Sequence, residues 1–438
     1  MNQYADIKVK NLSLFSFRNY LNNDIVNLFF SSNDLIVSLR DEENLEELEE
    51  DDSSAKYMYK TTVQRVKERL DARGFGIDNF KKIFDNNMLQ AIDYFPFLNH
   101  LKIEFTDCEI QERIINKITF KKWKNAMKKI VTYELEHGNI SWYKKTSKIE
   151  INTECEKVIF YSLKEDYPES FYALSIEIVD IAYIFRLILE NCVCNDEIVL
   201  DFTNLDYWAK DCIPKALSAA DDVEKVIVLV EGTSDKDILE YSLEKIYPHL
   251  SDLFYFMDFD DANGGKRDGG TSYVIKNLKT FYFSKIKAKF IAIFDNDAEG
   301  YQSKCTLLND IKNWPQNFRI LLYPELDLFN AYPTLAPNGK IVMDNINKKA
   351  CSIELYLPDA IIKNNGRFFP IEWESRKKIK TENGTEKFLY QGVISQKDDI
   401  KKKFHELRNS IEKCEENFVI EDWDRMKQLL DTIIFAFA

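Results

Sequence analysis

Two apolar stretches of this 438-residue sequence each run directly into acidic residues: VIVLVEGTSD at 226–235 and FIAIFDNDAEG at 290–300. The acids are Glu231, Asp235, Asp295 and Asp297. Carboxylates held close together repel one another and raise each other's pKa unless a cation lies among them. Oxygen ligands suit Mg²⁺ or Mn²⁺, and a pair of such ions can stabilise both the attacking and the leaving oxygen in phosphoryl transfer.

Short, β-branched apolar runs are typical of buried strands in a parallel sheet. After the first run, Gly232 permits a sharp turn, and residues 235–247 have the apolar spacing of a helix. In open α/β sheets, ligands bind at the carboxyl ends of the strands. The sequence therefore predicts that the four acids lie along one sheet edge. The alternative is that EGTSD is only a strand-to-helix turn and DND only a polar loop.

The pattern E-G-x-S-D after a strand, followed by a second strand and D-x-D-x-x-G, resembles a Toprim domain. Topoisomerases, bacterial primases and OLD-family nucleases share that domain. The resemblance implies an α/β fold with a Rossmann-like parallel sheet, helices on both faces and Mg²⁺-dependent phosphodiester chemistry. It assigns Glu231 as a metal ligand or general base, and Asp295 and Asp297 as metal ligands. We add Asp235, from the same motif, to the predicted ligands.

Two residues further along the chain extend this resemblance. Residues 353–357 (IELYL) are similar to an I-E-x-x-L pattern of OLD-like domains, which makes Glu354 a candidate ligand of a second metal ion. The alternative is an ordinary acid on an amphipathic helix. Lys397 follows a predicted short strand, where OLD-type nucleases place a lysine that neutralises transition-state charge. The predicted catalytic residues are thus Glu231, Asp295 and Lys397.

Four basic residues are candidates for nucleic-acid contact. Lys266 and Arg267 lie in the glycine-rich segment 258–270, whose backbone could approach a phosphate. Lys401 and Lys402 follow the predicted catalytic lysine and either hold backbone phosphates or face water. The sequence contains no phosphate-binding P-loop. We therefore expect the ATPase that many OLD nucleases carry in the same chain to be absent, and a separate ATPase is a candidate partner protein.

The N-terminal sequence resembles the HEPN/Toprim-associated N-terminal domain, through YADIKVKNLSLFSFRNY at 4–20 and YMYKTTVQRVKERLDARGF at 57–75. We expect an α+β domain over residues 1–90, with helices at 24–30 and 57–70. This family precedes either a HEPN ribonuclease or a Toprim domain, in proteins linked to bacterial anti-phage defence. A HEPN site requires Arg a few residues before His. The nearest upstream Arg to any His is Arg113, 24 residues before His137, so the Toprim version is favoured.

Residues 91–220 are interpreted as a mixed α/β connecting region, and 221–438 as the catalytic domain with a C-terminal extension. Predicted strands in the connecting region are 101–105, 158–163 and 197–202, and predicted helices are 114–131 and 171–190. FKKWKNAMKKI at 120–130 is either a basic and aromatic nucleic-acid contact or a solvated lysine face with Trp123 packed inward. The apolar helix 171–190 and the tail LLDTIIFAFA predict a homodimer.

Composition narrows the class of protein. The net charge of −14 argues against a protein that coats nucleic acid with a uniformly basic surface, although it permits a nuclease with local basic contacts. The eight cysteines show no metal-ligand spacing, and no apolar run is long enough for a membrane span. We expect a cytoplasmic Mg²⁺- or Mn²⁺-dependent nuclease, without a membrane partner, acting on DNA in preference to RNA. The alternatives are a primase-like nucleotidyl transferase and a non-enzymatic nucleic-acid-binding scaffold.

Overall fold

The computed structural model describes residues 4–39, 55–86, 88, 117–138, 149–153, 155–156, 180–203, 205, 223–257 and 270–438. The chain divides into two compact units, residues 1–223 together with Ala438, and residues 224–437. The strands predicted at 101–105 and 158–163 lie outside the described residues, as does most of the glycine-rich segment.

The first unit contains a five-stranded antiparallel sheet in the order β2-β1-β5-β4-β3. Its strands are β1 (Tyr4–Val9), β2 (Leu12–Arg18), β3 (Leu35–Leu39), β4 (Ala55–Thr62) and β5 (Glu197–Asp201). The predicted strand near 197–202 is confirmed as β5. It occupies the centre of the sheet, between β1 and β4. Strands from both sides of the predicted boundary at residue 90 therefore form one sheet.

Helices cover this sheet and build its core. They are α1 (Asn23–Phe29), α2 (Val63–Ala72), α3 (Phe120–His137) and α4 (Ile181–Leu189), and residues 77–86 are also helical. The apolar stripe predicted for α2 is confirmed, because Val63, Val66 and Leu70 are fully buried. These side chains join the buried faces of β1, β4 and β5 in one hydrophobic core.

The helix predicted from residue 57 was wrong over its first six residues. Residues 57–62 belong to β4, which pairs with β3 and β5. Their sequence, YMYKTT, is rich in aromatic and β-branched side chains, which pack well on a half-buried sheet. The helix begins only after Thr62, whose hydroxyl accepts the backbone N–H of Arg65 and caps α2.

The lysine-rich helix α3 buries its aromatic residues. It begins at Phe120 and ends at His137, later at both ends than the predicted 114–131. Trp123 is 3% exposed, and its ring lies 5.5 Å from the rings of Phe80 and Phe84. Stacking against bases needs an exposed ring, so Trp123 belongs to the core and the lysines around it form a solvated face.

The second unit contains a four-stranded parallel sheet in the order β10-β8-β6-β7. Its strands are β6 (Val226–Leu229), β7 (Phe254–Met257), β8 (Phe290–Phe294) and β10 (Phe318–Leu322). The strands are connected by α5 (Thr233–Ile246), α6 (Thr271–Phe283) and α7 (Ala298–Asp310). All five residues of β8 are buried, as expected for a central strand of a parallel sheet. The predicted parallel sheet of an α/β fold is confirmed.

A second four-stranded sheet, in the order β12-β11-β16-β17, follows in the same unit. Its strands are β11 (Tyr332–Leu335), β12 (Ile341–Asp344), β16 (Ile371–Lys380) and β17 (Glu386–Ile394). Two short pairs complete the strands: β9 (Asn296–Asp297) with β13 (Ala350–Cys351), and β14 (Lys363–Asn364) with β15 (Arg367–Phe368). The remaining helices are α8 (Asp359–Ile362), α9 (Lys397–Glu412) and α10 (Asp424–Ile434).

Where the structure describes them, the apolar segments that predicted a homodimer are largely buried within the chain; residues 171–179 lie outside the described residues. In α10, Leu429, Leu430 and Ile433 are at most 1% exposed, and in α4, Leu187 and Leu189 are fully buried. The homodimer stays a prediction that no longer draws on these side chains. No helix among the described residues is both long enough and apolar enough to span a membrane.

Candidate functional site

Glu231 and Asp295 meet at the carboxyl ends of adjacent parallel strands. The pairing of Leu229 with Ala292 places the end of β6 beside that of β8. The backbone N–H of Asp295 donates to Oε1 of Glu231 over 3.0 Å. The chain reverses the order of its strands here, because β7 lies on one side of β6 while β8 and β10 lie on the other. Such a switch point is where open α/β sheets bind ligands.

Asp235 joins this pair from the first turn of α5. Its carboxylate accepts a hydrogen bond from the backbone of Gly232 and lies within electrostatic range of Glu231 and Asp295. The turn that Gly232 makes after β6 therefore brings two acids of one motif to the same edge, as the sequence predicts.

Asp297 is held from two sides. Its Oδ1 accepts the N–H of Gly300 over 2.7 Å and caps α7, and its Oδ2 accepts from Nε2 of Gln391 over 2.6 Å. Asn296, between the two acids of the motif, is fully buried and donates to Asn347. Asp297 thus lies at the site and also fixes the start of a helix. It therefore fits both interpretations of the DND segment, as part of an acidic site and as a polar loop.

Glu354 lies on a 3₁₀ turn of residues 353–356 and is fully buried. Its Oε2 accepts from the hydroxyl of Ser352 over 2.6 Å. Its Oε1 lies 3.3 Å from Nζ of Lys397 and 3.8 Å from Nζ of Lys401, both on the first turns of α9. Lys401 also donates to the hydroxyl of Ser234 on α5, over 3.2 Å. In this structure Glu354 therefore anchors two lysines, next to Asp235.

The structure separates the predicted basic residues. Lys397 and Lys401 face the acids, whereas Lys402 has a side chain 76% exposed and pairs with Glu406 on its own helix. Lys402 therefore points to solvent, away from the acidic cluster. Lys266 and Arg267 lie outside the described residues.

Burial and mutual repulsion raise the pKa values of the acids. Burial, with Asp297 and Asp235 adding repulsion, raises the pKa of Glu231 to about 8. Burial and Glu354 raise the pKa of Asp235 to about 7, against the opposing effect of the two lysines. Burial and Glu231 raise the pKa of Asp295 well above its ordinary value. The pKa of Lys397 is lowered by burial, but Glu354 and Asp295 outweigh this and leave it raised.

These shifts predict how the metal-free protein responds to pH. In the unfolded chain Glu231 titrates near 4.5, and in the folded protein near 8. Between these values the folded state holds a proton that the unfolded state has released, so the contribution of Glu231 to stability is greatest below about pH 4.5 and is lost as the pH rises through about 8. We expect the melting temperature in EDTA to fall by roughly 5–10 °C between pH 5 and pH 8 on this account.

The matched variant for this measurement is Glu231→Gln, which keeps an acceptor for the N–H of Asp295 but cannot ionise. Its melting temperature should fall less steeply with pH than that of the wild type, and it should lie above the wild type at pH 8. If the melting temperatures of the two proteins in scanning calorimetry change equally with pH, residue 231 does not carry a buried carboxyl with a raised pKa.

The donor chemistry of the site fits a hard cation. Oδ1 of Asp295 is buried and has no hydrogen-bond partner among the described residues, so it is an acceptor available to a metal ion. Five acids, namely Glu231, Asp235, Asp295, Asp297 and Glu354, are accompanied by Lys397 and Lys401, and Lys377 lies within electrostatic range of Asp297. The acids still outnumber these cations, which leaves an excess of negative charge. Across the part of the chain that the structure describes, no three His, Cys, Asp or Glu side chains already form a ligand group. A bound ion would therefore need these side chains to move towards it.

Gly300 is required by the way α7 approaches the site. A Cβ atom at this position would lie 2.1 Å from the carbonyl oxygen of Asp295. Gly300→Ala must therefore displace the backbone of a catalytic candidate, and we expect it to destabilise the protein by about 2–4 kcal/mol. Gly232→Ala is the matched control, because its Cβ would meet only ordinary contact at 3.7 Å. Denaturant unfolding should separate the two variants, and equal stability would contradict the tight packing at Gly300.

Sequence reasoning missed two residues that contribute to the site. Gln391 on β17 bridges Asp297 and the backbone N–H of Glu299. Tyr323 follows β10 directly, is 2% exposed, and its pKa is raised by burial and by Asp235 and Asp295. Tyr323 could have been found from its position after a strand, like Glu231 and Asp295. Gln391 had no such signal, since it lies mid-strand and far away in sequence.

Comparison with known proteins gives one match. The family model HEPN/Toprim N-terminal domain 1 matches residues 1–220, well beyond the first ninety residues that carry the resemblance. This range nearly coincides with the first compact unit. No curated protein and no solved structure shows significant similarity to the chain.

Proposed function

The chain belongs to the HEPN/Toprim N-terminal domain 1 family, and from this premise we propose that its second unit is a Mg²⁺- or Mn²⁺-dependent nuclease of the OLD-like Toprim type. The observation that carries the proposal is the contact between Glu231 and the backbone of Asp295 at the switch point of a parallel sheet. The unpartnered Oδ1 of Asp295 supports it further.

The proposed chemistry assigns a task to each side chain. Burial and the neighbouring acids hold the pKa of Glu231 near 8 in the metal-free protein, so at neutral pH it keeps its proton. A bound cation would lower this pKa and leave a carboxylate that can accept a proton from an attacking water. Asp295 and Asp235, with Asp297, would hold the cations. Lys397 stays protonated beside Glu354 and can stabilise negative charge that develops on the phosphate. When bound, divalent ions would supply Lewis-acid stabilisation of the phosphate oxygens and lower the pKa of water.

The arrangement around Glu354 modifies one assignment. The sequence proposes it as a ligand of a second ion, whereas the structure shows it paired with Lys397 and Lys401. We propose that its main task is to position these lysines, and that it reaches a second ion only if the ion pair opens.

The biological setting is also a proposal. Membership of the family supports a nuclease-related role. We propose an anti-phage defence effector that acts in the cytoplasm on DNA or RNA, as a homodimer, with a separate ATPase as a partner. None of these points is needed for the assignment of the acidic cluster.

A test in solution separates this function from its alternatives. The purified chain is incubated with plasmid and with single-stranded DNA and RNA, in Mg²⁺ or Mn²⁺, with and without nucleotides. Nicked or shortened nucleic acid supports the nuclease, and new primers support a primase-like transferase. If neither product forms in any condition, the result favours a non-enzymatic scaffold. The lack of a closed ligand group among the described side chains agrees with that alternative.

A further inference from the structure

We propose that the outward face of the ribbon formed by β16 and β17 binds single-stranded nucleic acid, by stacking of bases on Tyr390 and Phe388 and contact of phosphates with Arg376. This inference rests on the proposed nuclease function, because it identifies where that site would hold its substrate. It predicts a substrate class with unpaired bases.

The register of the ribbon places the key side chains on one face. Arg376 lies opposite Tyr390, and Lys378 lies opposite Phe388, in antiparallel pairing. Directly opposed residues, and residues two apart on one strand, share a face. Tyr390 and Phe388 are 55% and 54% exposed, which is unusual for two large rings on neighbouring positions of one strand face.

Aromatic rings continue along this face towards the bulge in β16. The ring centroids of Trp373 and Tyr390 are 6.0 Å apart, in an edge-to-face arrangement. Nζ of Lys349 lies 5.9 Å from the ring centroid of Trp373. The face thus presents a row of three rings with cations beside them, the combination that single-strand-binding surfaces use for bases and phosphates.

Arg376 is the cation best placed for a phosphate. Its guanidinium lies 4.4 Å from the ring centroid of Phe388, and it has no carboxylate partner among the described residues. Residues 375–380 contain four cations and no acid, in a protein whose net charge is −14. Lys377 pairs with Glu299 over 2.6 Å and Lys378 pairs with Glu386 over 2.7 Å, which leaves Arg376 as the cation beside the rings that has no acid partner among the described residues. A cation beside exposed rings favours a polyanion over an apolar protein segment as the occupant.

The opposite face of the same ribbon reaches the acidic cluster. Gln391, adjacent to Tyr390, donates to Asp297 over 2.6 Å, and Lys377, adjacent to Arg376, pairs with Glu299 over 2.6 Å. One side of the ribbon therefore supports the candidate catalytic acids while the other side is open to solvent. A strand bound on the open side would therefore have to pass around an edge of the ribbon to reach those acids.

The proposed contacts need unpaired bases. In a duplex the flat surfaces of the bases are covered by their neighbours, whereas a single strand can turn a base onto an exposed ring. The ribbon should therefore prefer a single strand to a duplex of the same sequence, and it should lose affinity for a strand whose bases have been removed.

The experiment measures binding separately from cleavage. A fluorescently labelled single-stranded oligonucleotide is titrated with the full chain in EDTA, and its anisotropy is followed. Tyr390→Ala and Phe388→Ala should each weaken binding by about 5- to 100-fold. Arg376→Gln should reduce the dependence of log affinity on log salt by about 0.7. Phe283→Ala, which removes a ring 71% exposed on α6, is the matched control and should leave binding unchanged.

Three outcomes would overturn the inference. They are unchanged binding by both ring variants, equal binding of duplex and single strand, and equal binding of an abasic strand. Cleavage in Mn²⁺ is measured in parallel on the same proteins. If the wild type cleaves and the ring variants bind the oligonucleotide as well as the wild type does, the proposed binding surface on the ribbon is wrong but the nuclease function stands. Weakened binding by the ring variants, with no cleavage by the wild type, would leave the ribbon standing and refute the nuclease.

Discussion

Glu231→Gln and Asp295→Asn are each expected to reduce metal-dependent cleavage by at least about 100- to 1,000-fold, because each removes a charge that the reaction requires. Glu231→Gln can no longer accept a proton or carry a ligand charge, yet it still offers an oxygen to the N–H of Asp295. Asp295→Asn replaces the unpartnered Oδ1 without changing the shape of the side chain. Cleavage rates in Mg²⁺ and Mn²⁺ measure the loss.

The fold of both variants should remain intact. Removing one of several repelling, buried acids relieves repulsion, so melting temperatures in EDTA at pH 8 should hold or rise. Asp310→Asn is the control, since this acid lies at the end of α7 and pairs with Lys279 away from the site. Wild-type cleavage by both site variants, on DNA and RNA alike, would show that these two acids do not perform the chemistry.

The second large effect is expected from exchanging the metal. Chelation should abolish cleavage, and Mg²⁺ or Mn²⁺ should restore it, with Mn²⁺ giving faster and less selective cutting because it accepts imperfect geometry. Zn²⁺ prefers His and Cys ligands and should inhibit or fail to support activity. The measurement is the cleavage rate after dialysis against EDTA and addition of each ion.

The structure places one thiol, that of Cys351, near the acidic cluster. Cys351 on β13 lies near Asp295 and Asp297, although it is distant from them in sequence. Burial raises its pKa well above the ordinary value, so it stays a protonated thiol and a poor ligand. Strong activity with Zn²⁺ alone would mean that the site recruits a sulfur or nitrogen ligand and that the all-oxygen assignment is wrong.

The parts of the site that the sequence predicted share a local origin. Glu231 and Asp295 each follow an unbroken apolar run, and such runs have few alternatives to a buried strand once they are bounded by glycine and acids. Parallel strands then bring their carboxyl ends to one edge, so the meeting of the two acids followed from strand type alone. The family resemblance of the N-terminal region was also visible in local sequence, although the match extends to residue 220.

The parts that were missed depend on distant pairing. Residues 57–62 directly precede the apolar stripe of α2 and fall within the predicted helix, whereas pairing with β3 and β5 decides their conformation. Gln391 reaches Asp297 because β17 lies beside the carboxyl edge of the parallel sheet, and no local sequence pattern predicts that placement. Glu354 is predicted from the local pattern of residues 353–357, but its pairing with Lys397 and Lys401 depends on how α9 packs against it.

Anomalous diffraction from Mn²⁺-soaked crystals of the full chain is the most direct test of the central claim. We expect a peak within about 2.2 Å of a carboxylate oxygen of Asp295, shared with Glu231, and absent from crystals of Asp295→Asn. Ordered, unliganded acids at saturating Mn²⁺, or a peak found only elsewhere in the protein, would contradict the claim that these strand-end carboxylates form a metal-dependent catalytic centre.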